Sequence, residues 1–414
     1  MIGYACLPVG FRDYSFKKVL KKNLNYENLK IAIKNNLNSL DKILEYNIEN
    51  NIKLFRISSD LIPFGDKALE YIDWKKEFKC EFEKIGQKIK ENNLRVSFHP
   101  GQYTVLNSPK EEVVKNTTMD LKYHCNVLDL MNLDKNHKII LHVGGVYGNK
   151  ELATKRFIEN YKKLDTNIKN RLVIENDDKS YNVDDLLYIN SQIEIPLVFD
   201  NLHNEINPAK TKRNEEEIIK IFAKTWKKSN GKQKTHYSQQ DKNKQIGSHS
   251  KTIDILEFKK YYEKIDQEID IMLEVKDKDL SSIKINNLFK NHVKYLEKEW
   301  AKYKYNILEH SPKNYFEIRE LLKDRQNYNI LEFYELIDSS LEKEIEKNNF
   351  INSSDHVWGY FKKIAEEKEI EKYQRYKEKY LENKITIKPI KKYLLQLSEK
   401  YKSEYLLKSY YFNI

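Results

Sequence analysis

Residues 171–200, RLVIENDDKSYNVDDLLYINSQIEIPLVFD, carry the pattern that decides the fold of this 414-residue chain. Two short apolar runs, 171–175 and 196–200, flank a stretch at 184–193 whose apolar residues recur at helical spacing. Near-continuous apolar strands that alternate with helices are typical of parallel sheets, because both faces of such strands are buried. The stretch therefore predicts one strand–helix–strand unit of an α/β protein.

The same alternation extends in both directions from this unit. Helical periodicity marks 27–49, 83–92 and 113–130. Eight strand–helix units match the size of a (β/α)8 TIM barrel, and an open doubly wound sheet is the alternative. The weakest predicted strand is 234–238, KTHYS, which has little apolar character. The other apolar runs are residues 2–6, 54–58, 95–98, 138–143 and 270–275.

The sequence changes in character after about residue 280. Leu, Tyr, Lys and Glu then recur at helical spacing, and no strand pattern is visible. We predict two domains, an α/β TIM barrel at 1–285 and a separate all-α domain at 286–414.

Composition excludes several classes of protein. The chain has three cysteines, Cys6, Cys80 and Cys125. An odd number without a CxxC pair argues against a disulfide framework. No apolar run approaches the roughly 20 residues that span a bilayer, and residues 1–10 lack the features of a secretion signal. We expect a cytoplasmic protein without a membrane partner. The net charge of +11 agrees equally with an AT-rich genome and with a polyanionic partner.

Ionisable residues stand at the C-terminal ends of the predicted strands, which meet at one face of a barrel. Imidazole and carboxylate groups suit Mn²⁺, Zn²⁺ or Fe²⁺, and a buried carboxylate is costly without a partner. Each histidine alone is more often a structural residue, but together they predict a multinuclear metal site. These residues are His99, His142, Glu175, Asp200 with His203, His236 and Glu274.

Residues 221–250 hold seven lysines against the single acidic residue Asp241, a net charge of +6. A solvated loop is the ordinary interpretation. Because the segment also contains His236 and His249, we favour attraction of a nucleic-acid backbone to the metal site. The glycines at 144–148 lack GxGxxG spacing, so we expect no nucleotide cofactor and interpret them as room for a substrate backbone.

A series of short motifs runs along about the first 285 residues. They are Gly3-Tyr4, FRISSD at 55–60, HPGQY at 99–103, HVGG at 142–145, ENDD at 175–178, Asp200 with His203, KTHYS at 234–238 and EVK at 274–276. In these motifs the chain resembles the UV damage endonuclease family of TIM-barrel DNA repair enzymes. The resemblance implies metal ligands at His99, His142, Glu175, Asp200, His203, His236, His249 and Glu274.

The resemblance also assigns roles to single residues. Gln102 and Tyr103 would probe the duplex at a lesion, and Tyr4 would lie near the lesion pocket. Lys234 matches a lysine near the metals that can be modified in the family. The chain departs from the family at Leu7-Pro8, where an Asn is common.

The implied activity is incision of double-stranded DNA immediately 5′ to UV photoproducts, namely pyrimidine dimers and 6-4 photoproducts, in excision repair. We expect two or three divalent ions per chain, with Mn²⁺ favoured over Zn²⁺, Mg²⁺ or Co²⁺. A monomer associated with the nucleoid through DNA is expected. The catalytic residues would be Glu175, Lys234 and His236, and the DNA contacts Tyr4, Gln102, Tyr103, Lys232 and Lys242.

The ligands also suggest a partition between ions. Glu175 would bridge two ions, with His99 and His142 on one side and Asp200, His236 and Glu274 on the other. His203 and His249 would complete a third site.

Two alternatives remain open from the sequence. A barrel sugar isomerase also uses strand-end His and carboxylate residues around divalent metals, but the +6 segment and the HPGQY loop argue against a small sugar. A non-catalytic DNA-binding module would not need so many ligand-type residues to converge.

The C-terminal part resembles the helical YbgA-like domain, whose role is undefined. The motifs are WAKYKY at 300–305, HSP at 310–312 and HVWGYFK at 356–362. Their aromatic and basic residues fit either helix packing or a nucleic-acid surface, and we favour packing.

Overall fold

The computed structural model describes residues 1–290, 292–326 and 328–414, which form two compact units. The first comprises Met1–Pro8 and Arg12–Ile283, and the second Val9–Phe11 and Lys284–Ile414. The break after Ile283 lies close to the division that the sequence suggests after residue 285, and we keep that division as a proposal.

The described part of the first unit contains eight parallel strands that form a nearly closed barrel. The strand order, β3-β2-β1-β8-β7-β6-β5-β4, places β3 and β4 at the two edges of the sheet. The predicted TIM barrel is therefore confirmed, and all eight strands fall on the predicted runs. They are β1 (Ile2–Ala5), β2 (Leu54–Arg56), β3 (Arg95–Ser97), β4 (Ile139–His142), β5 (Leu172–Glu175), β6 (Leu197–Asp200), β7 (Lys234–Tyr237) and β8 (Asp270–Leu273).

The edges of β3 and β4 meet through a short seam. The amide of Phe98 donates to the carbonyl of Lys138 at 3.0 Å, and the amide of Ile140 donates to the carbonyl of Phe98 at 2.9 Å. Next to this seam, the amide of Val96 donates to Nδ1 of His137 at 3.0 Å. An imidazole thus takes the place of a backbone acceptor in the barrel wall.

Helices cover the outside of the barrel. Helix α7 begins at the Asn182–Asp185 capping box, which satisfies free amides of its first turn. The helices of the first unit are α1 (Tyr26–Glu49), α2 (Trp74–Glu77), α3 (Lys79–Glu91), α4 (Glu111–Leu130), α5 (Lys150–Lys163), α6 (Thr166–Arg171), α7 (Val183–Ile193), α8 (Asn201–Ile206), α9 (Glu215–Ala223) and α10 (Ile255–Tyr262), and α11 (Asp279–Leu288) continues into the second unit.

Strand β7 explains why the KTHYS run is a strand despite its polarity. All four of its residues are buried, between β6 and β8. The ring of Tyr237 packs against Phe258 and Tyr261 of α10, on the outer face. Lys234 and His236 alternate with it and face the barrel interior, where His236 meets the carboxylates of Glu175 and Glu274.

The second unit is helical, as predicted. Trp358 stacks on Tyr373 at 4.5 Å between ring centroids, within a buried cluster that also includes Tyr305 and Phe361. Helix packing therefore accounts for these motif aromatics. The helices are α12 (Lys294–His310), α13 (Pro312–Leu321), α14 (Ile330–Leu341), α15 (Lys347–Trp358), α16 (Glu367–Leu381), α17 (Ile387–Lys400) and α18 (Glu404–Leu407).

Within the described ranges, no helix of either unit is long and apolar enough to cross a membrane.

Candidate metal centre

Glu175, at the end of β5, is the centre of the candidate site. Its Oε2 lies 2.9 Å from Nε2 of His99, and its Oε1 lies 2.7 Å from Nδ1 of His236. His142 and His203 each place a ring nitrogen 3.8 Å from the same carboxylate. Three imidazoles at strand ends and the imidazole of His203 on α8 thus surround one buried carboxylate.

Three groups in the described chain have ligand atoms close enough to hold a metal ion, and Glu175 belongs to all of them. The ligand atoms in each group lie within 4.8 Å of one another. The groups are His99 with His142 and Glu175, Glu175 with Asp200 and His203, and Glu175 with His236 and Glu274.

This grouping differs from the predicted partition in two respects. Asp200 joins His203 because it caps α8, where its Oδ1 accepts from the amide of His203 at 2.8 Å. His249 belongs to none of the three groups. It pairs with Gln240 through an isolated bridge in the loop after β7.

Asn176 fixes the strand ends that carry Glu175 and Asp200. Its side chain accepts from the Asp200 amide and donates to the Asp200 carbonyl, at 2.9 Å in each case. The carbonyl of Asn176 lies 3.0 Å from Nδ1 of His203. One amide side chain thus holds β5 and β6 in register at the site.

Arg56, at the end of β2, is a buried cation beneath the site. Its Nη2 forms an ion pair with Glu274 and lies 3.2 Å from Nε2 of His236. The sequence contains Arg56 in the FRISSD motif but gives it no role. Its charge inside an apolar strand is the signal that could have found it, since such a residue needs a buried partner.

The carboxylates at the centre stay ionised for different reasons. Burial acts to raise the pKa of Glu175, but the charges and hydrogen bonds of its histidines hold that pKa well below the usual value. Burial likewise opposes ionisation of Glu274, and the charges of Arg56 and His236 outweigh it and lower its pKa to about 2. Anionic carboxylates are the form that binds a cation.

Asp200 and His203 form a buried acid–base pair in which, unlike at Glu175 and Glu274, the pKa of the carboxyl is raised. Burial raises the pKa of Asp200 to about 7. Burial favours neutral His203, but the charges of Asp200, Glu175 and Glu274 outweigh it and raise its pKa to about 9. Without another cation, a proton on His203 compensates the crowded negative charge.

The donors fit a divalent metal. Two ligand-type atoms in the centre, Oδ2 of Asp200 and Nδ1 of His142, are buried and accept or donate no hydrogen bond within the described chain. Unsatisfied buried polar atoms are costly, and a cation would satisfy a carboxylate oxygen of this kind. The mixed imidazole and carboxylate set suits Mn²⁺, Zn²⁺ or Co²⁺.

Lys234 lies one layer below His236 on β7. It is fully buried, and its Nζ has no hydrogen-bond partner in the described residues. Burial, with the charge of nearby Arg95, lowers its pKa well below the usual value.

Gln102 and Tyr103 stand on the loop between β3 and α4, beside the centre. Tyr103 is 84% exposed. Both residues line an open cavity of about 1000 Å³ whose wall also includes His142, His203 and Tyr147. The two predicted probe residues and two of the predicted ligands therefore share one cavity.

The loop that carries them is anchored to α4. Thr104 Oγ1 donates to Oδ2 of Asp120 at 2.6 Å, and the amide of Val105 donates to Oγ1 of Thr117 at 3.0 Å. These bonds hold the residue next to Tyr103 in place, so the exposed ring projects from a fixed base.

Tyr4, on β1, is a buried residue. Its side chain is fully buried, its hydroxyl donates to Oδ1 of Asn47 at 2.9 Å, and its ring packs on Phe55. The side chain faces α1 rather than solvent, and its role near a lesion stays a prediction.

The basic segment also divides differently from the prediction. Lys232 precedes β7, so it lies at the base of the barrel, where it pairs with Glu268. Lys227 lies on the same side and pairs with Glu194. Lys242 follows β7 and is exposed in the loop on the side of the metal centre. Most of the +6 charge therefore lies away from the site, and the DNA contact at Lys232 stays a prediction.

The glycines after His142 also have an internal role. Gly144 has φ of +111°, and a Cβ there would lie 2.5 Å from Oδ1 of Asn107. The close approach belongs to the neighbouring loop of this chain. At Gly145 a Cβ would meet only the ring of Tyr147, at 3.7 Å, and at Gly148 it would meet nothing within 4 Å, so the room expected for a substrate exists at these two positions.

Comparison with known families agrees with this geometry. Residues 8–304 match the family model described as UV-endonuclease UvdE. The chain belongs to this family. Residues 304–414 match the model of a protein of unknown function, DUF1722.

Relatives cover both parts of the chain. A UV DNA damage endonuclease of Clostridium perfringens is 43% identical over 94% of this chain and 97% of its own length. One from Bacillus mycoides is 38% identical over 68% of this chain and 89% of its own length. The crystal structure of SacUVDE superposes with a TM-score of 0.66 at 39% identity, covering 72% of this chain and 99% of that one.

The expected family and enzyme class are therefore confirmed. The protein is a hydrolase of the endonuclease type, and the sugar isomerase and the non-catalytic module are set aside.

Proposed function

We propose that this protein incises double-stranded DNA immediately 5′ to UV photoproducts and depends on divalent metal ions for the cut. One observation carries the proposal. Three ligand groups converge on buried Glu175, and two of their histidines, His142 and His203, line the open cavity that the exposed pair Gln102 and Tyr103 also lines. The UV DNA damage endonucleases that resemble this chain over most of its length support the choice of substrate.

Two or three divalent ions, with Mn²⁺ favoured, would be held by the three groups around Glu175. Ions bound there would lower the pKa of a water molecule and neutralise charge on the scissile phosphate. His249 remains a proposed ligand that would approach from the loop after β7.

The residues of the chain supply orientation and charge. Glu175 accepts from His99 and His236 through different oxygens, which fixes both rings. Arg56 holds Glu274 at the opposite edge of the centre. We propose Glu175 and His236 as catalytic residues, and Lys234 as a buried amine next to them that is open to modification.

Recognition of damage would fall to the anchored loop. An exposed aromatic ring can stack where a damaged dinucleotide leaves the helix, and the Thr104–Asp120 bond limits the entropy that Tyr103 loses on insertion. Lys242 would contact a phosphate nearby. The products would be a 3′-hydroxyl and a 5′-phosphate, formed by a monomer bound to the nucleoid in the cytoplasm.

The decisive experiment uses a 5′-labelled duplex with a single pyrimidine dimer. We expect a single cut at the phosphate 5′ to the dimer with Mn²⁺, no cut after EDTA treatment, and no cut in the undamaged duplex. Incision that persists after chelation would contradict the metal dependence. A cut at any other position would contradict the 5′ assignment.

Lesion recognition can be separated from the chemistry. In the double variant Gln102→Ala, Tyr103→Ala, we expect the preference for damaged over undamaged DNA to fall by about tenfold, the effect of removing one ring that stacks on a base. Bound metal, measured by mass spectrometry of the purified protein, should be unchanged. A decrease in bound metal would show that the loop supports the centre instead.

A further inference from the structure

The second unit also carries aromatic and basic residues that are not buried by helix packing. We call Lys304, Tyr315, Arg319, Tyr360 and Tyr405 the tyrosine patch. Tyr360 and Tyr405 are 42% and 37% exposed, in contrast to the buried Tyr305 and Trp358 of the WAKYKY and HVWGYFK motifs.

The two exposed rings of the patch are held rigidly. Tyr360 and Tyr405 lie parallel, with 5.8 Å between ring centroids and 6° between planes. The hydroxyl of Tyr405 donates to the carbonyl of Ala301 at 2.9 Å, and the hydroxyls of Tyr360 and Tyr305 lie 3.0 Å apart. Because both hydroxyls are tied to α12, the rings would lose little freedom when a flat ligand packs on them.

The cations of the patch face aromatic rings instead of carboxylates. Lys304 Nζ lies 4.7 Å from the ring centroids of both Tyr305 and Tyr405. The guanidinium of Arg319 lies 5.8 Å from the ring centroid of Tyr315. Burial, and then the charge of Arg319, lower the pKa of the Lys304 ammonium, so Arg319 is close enough to repel it. Two cations that repel each other in this way make a site that attracts an anion.

We propose that the tyrosine patch binds single-stranded DNA, with its cations on the phosphates and its exposed rings on the bases. The combination of cations and fixed aromatic faces matches the two features by which proteins hold single strands without sequence preference. A duplex does not satisfy both features, since its bases are stacked on one another and do not reach exposed rings.

The proposal adds a binding site to the proposed function and does not depend on incision. The probe is therefore a lesion-free, fluorescein-labelled oligothymidine of 20 nucleotides, which offers the barrel no photoproduct. Binding to the full chain is measured by fluorescence anisotropy at several KCl concentrations.

The first variant removes charge from exposed or half-exposed positions, where the risk of misfolding is small. For Lys304→Gln with Arg319→Gln, we expect affinity to fall by about tenfold. The slope of log affinity against log salt should become shallower by about 1.4, or ~0.7 for each phosphate that is no longer neutralised. Lys304→Arg with Arg319→Lys, which keeps both charges, should restore most of the affinity.

A matched control removes two charges elsewhere in the same unit. Arg375 is exposed and Lys384 pairs with Glu382, and neither belongs to the patch. Arg375→Gln with Lys384→Gln should leave affinity within about twofold. An equal decrease in this control would overturn the proposal, because it would mean that net charge alone drives binding.

Photocrosslinking locates the bound strand directly. With 5-iodouracil in the oligonucleotide, crosslinked peptides should contain Tyr360, Tyr405 or Tyr315. Crosslinks confined to barrel residues such as Tyr103, with unchanged affinity of the charge variant, would overturn the proposal. That result would leave the patch as a surface for another protein.

Discussion

The two ends of the barrel both hold buried charged groups, yet they satisfy them in different ways. At the N-terminal end of the strands, Arg95 donates to Asp270 at 2.6 Å and to the carbonyl of Lys232 at 2.8 Å. Arg171 donates to the carbonyls of Asp134 and Leu133 at 2.7 Å each. At the C-terminal end, histidines crowd around Glu175, while buried atoms of Asp200 and His142 lack partners among the described residues.

The difference separates a structural from a functional arrangement of charge. At the base each of these arginines meets carboxylates or carbonyls of the chain, so the charges hold loops and strands together, although Nη2 of Arg95 and Nε of Arg171 have no hydrogen-bond partner among the described residues. At the C-terminal end, lone pairs of carboxylates and imidazoles lie close together with too few cations of the chain to satisfy them. A bound cation would satisfy them. Substitutions at the two ends should therefore fail in different ways.

The largest effect is expected for Glu175→Gln at the functional end. The amide keeps the volume of the side chain but removes the charge shared by all three ligand groups. We expect incision to fall by at least about 10⁴-fold, or ~5.5 kcal/mol, with a melting temperature no lower than that of the parent. Single-turnover incision and thermal melting measure the two quantities. Retained incision would contradict the central role of Glu175.

Asp270→Asn tests the structural end. The substitution leaves Arg95 buried beside Lys234 without its carboxylate. We expect the free energy of unfolding to fall by about 3–5 kcal/mol, while incision per folded molecule stays near that of the parent. Urea denaturation provides the stability, and active-site titration corrects the rate. An unchanged denaturation midpoint would mean that the base is not held by this pair.

The barrel seam predicts a dependence of stability on pH. Burial lowers the pKa of His137 from 6.5 to about 4, and the ring accepts from the amide of Val96 only while it is neutral. Between these values the unfolded chain binds more protons than the folded one, so stability falls as pH decreases from about 6.5 to 4. The decrease in the free energy of unfolding should reach about 3 kcal/mol.

His137→Asn provides the control for this effect. Asparagine keeps an acceptor for the Val96 amide but does not titrate. The difference in unfolding free energy between parent and variant should shrink as pH falls through this range. A difference that stays constant with pH would contradict the assignment to His137.

The smallest effect compares two lysines of one basic segment. Lys242→Gln, on the side of the metal centre, should weaken binding of damaged duplex by about twofold to threefold and reduce the salt slope by ~0.9. Lys232→Gln, at the base, should change neither quantity. Fluorescence anisotropy under matched salt measures both. An equal effect of the two variants would erase the distinction between the two ends in DNA binding.

The sequence predicted the barrel and the residues that the structure brings together around Glu175, because both depend on local order. Strand runs show as short apolar stretches, and parallel strands place their C-terminal ends on one face whatever the loops do. His99, His142, Glu175 and His236 could therefore be collected before any distance was known.

The sequence could not give the placement of residues for which sequence distance and spatial distance diverge. Lys232 and Lys242 are both near His236 in sequence. Strand β7 lies between them, and its four residues at about 3.3 Å each carry the chain from one end of the barrel to the other. The burial of Tyr4 likewise depends on Asn47 of α1, a contact that no local pattern reveals.

The pairing of ligands was also beyond the sequence. Whether Asp200 joins His203 or His236 depends on the turn by which α8 starts directly after β6, and on the bonds of Asn176 across two strands. Such contacts follow from backbone geometry at single residues and leave no periodic trace.

The sharing of Glu175 by all three ligand groups has a consequence for how this chain can diverge over time. A histidine change in one group alters the field and the hydrogen bonds at a carboxylate that the other two groups also use. The effect of a replacement at one ligand of the centre therefore depends on the residues at the other ligand positions. Surviving lineages should change these positions together or keep them all, while the paired charges at the base remain free to be exchanged one pair at a time.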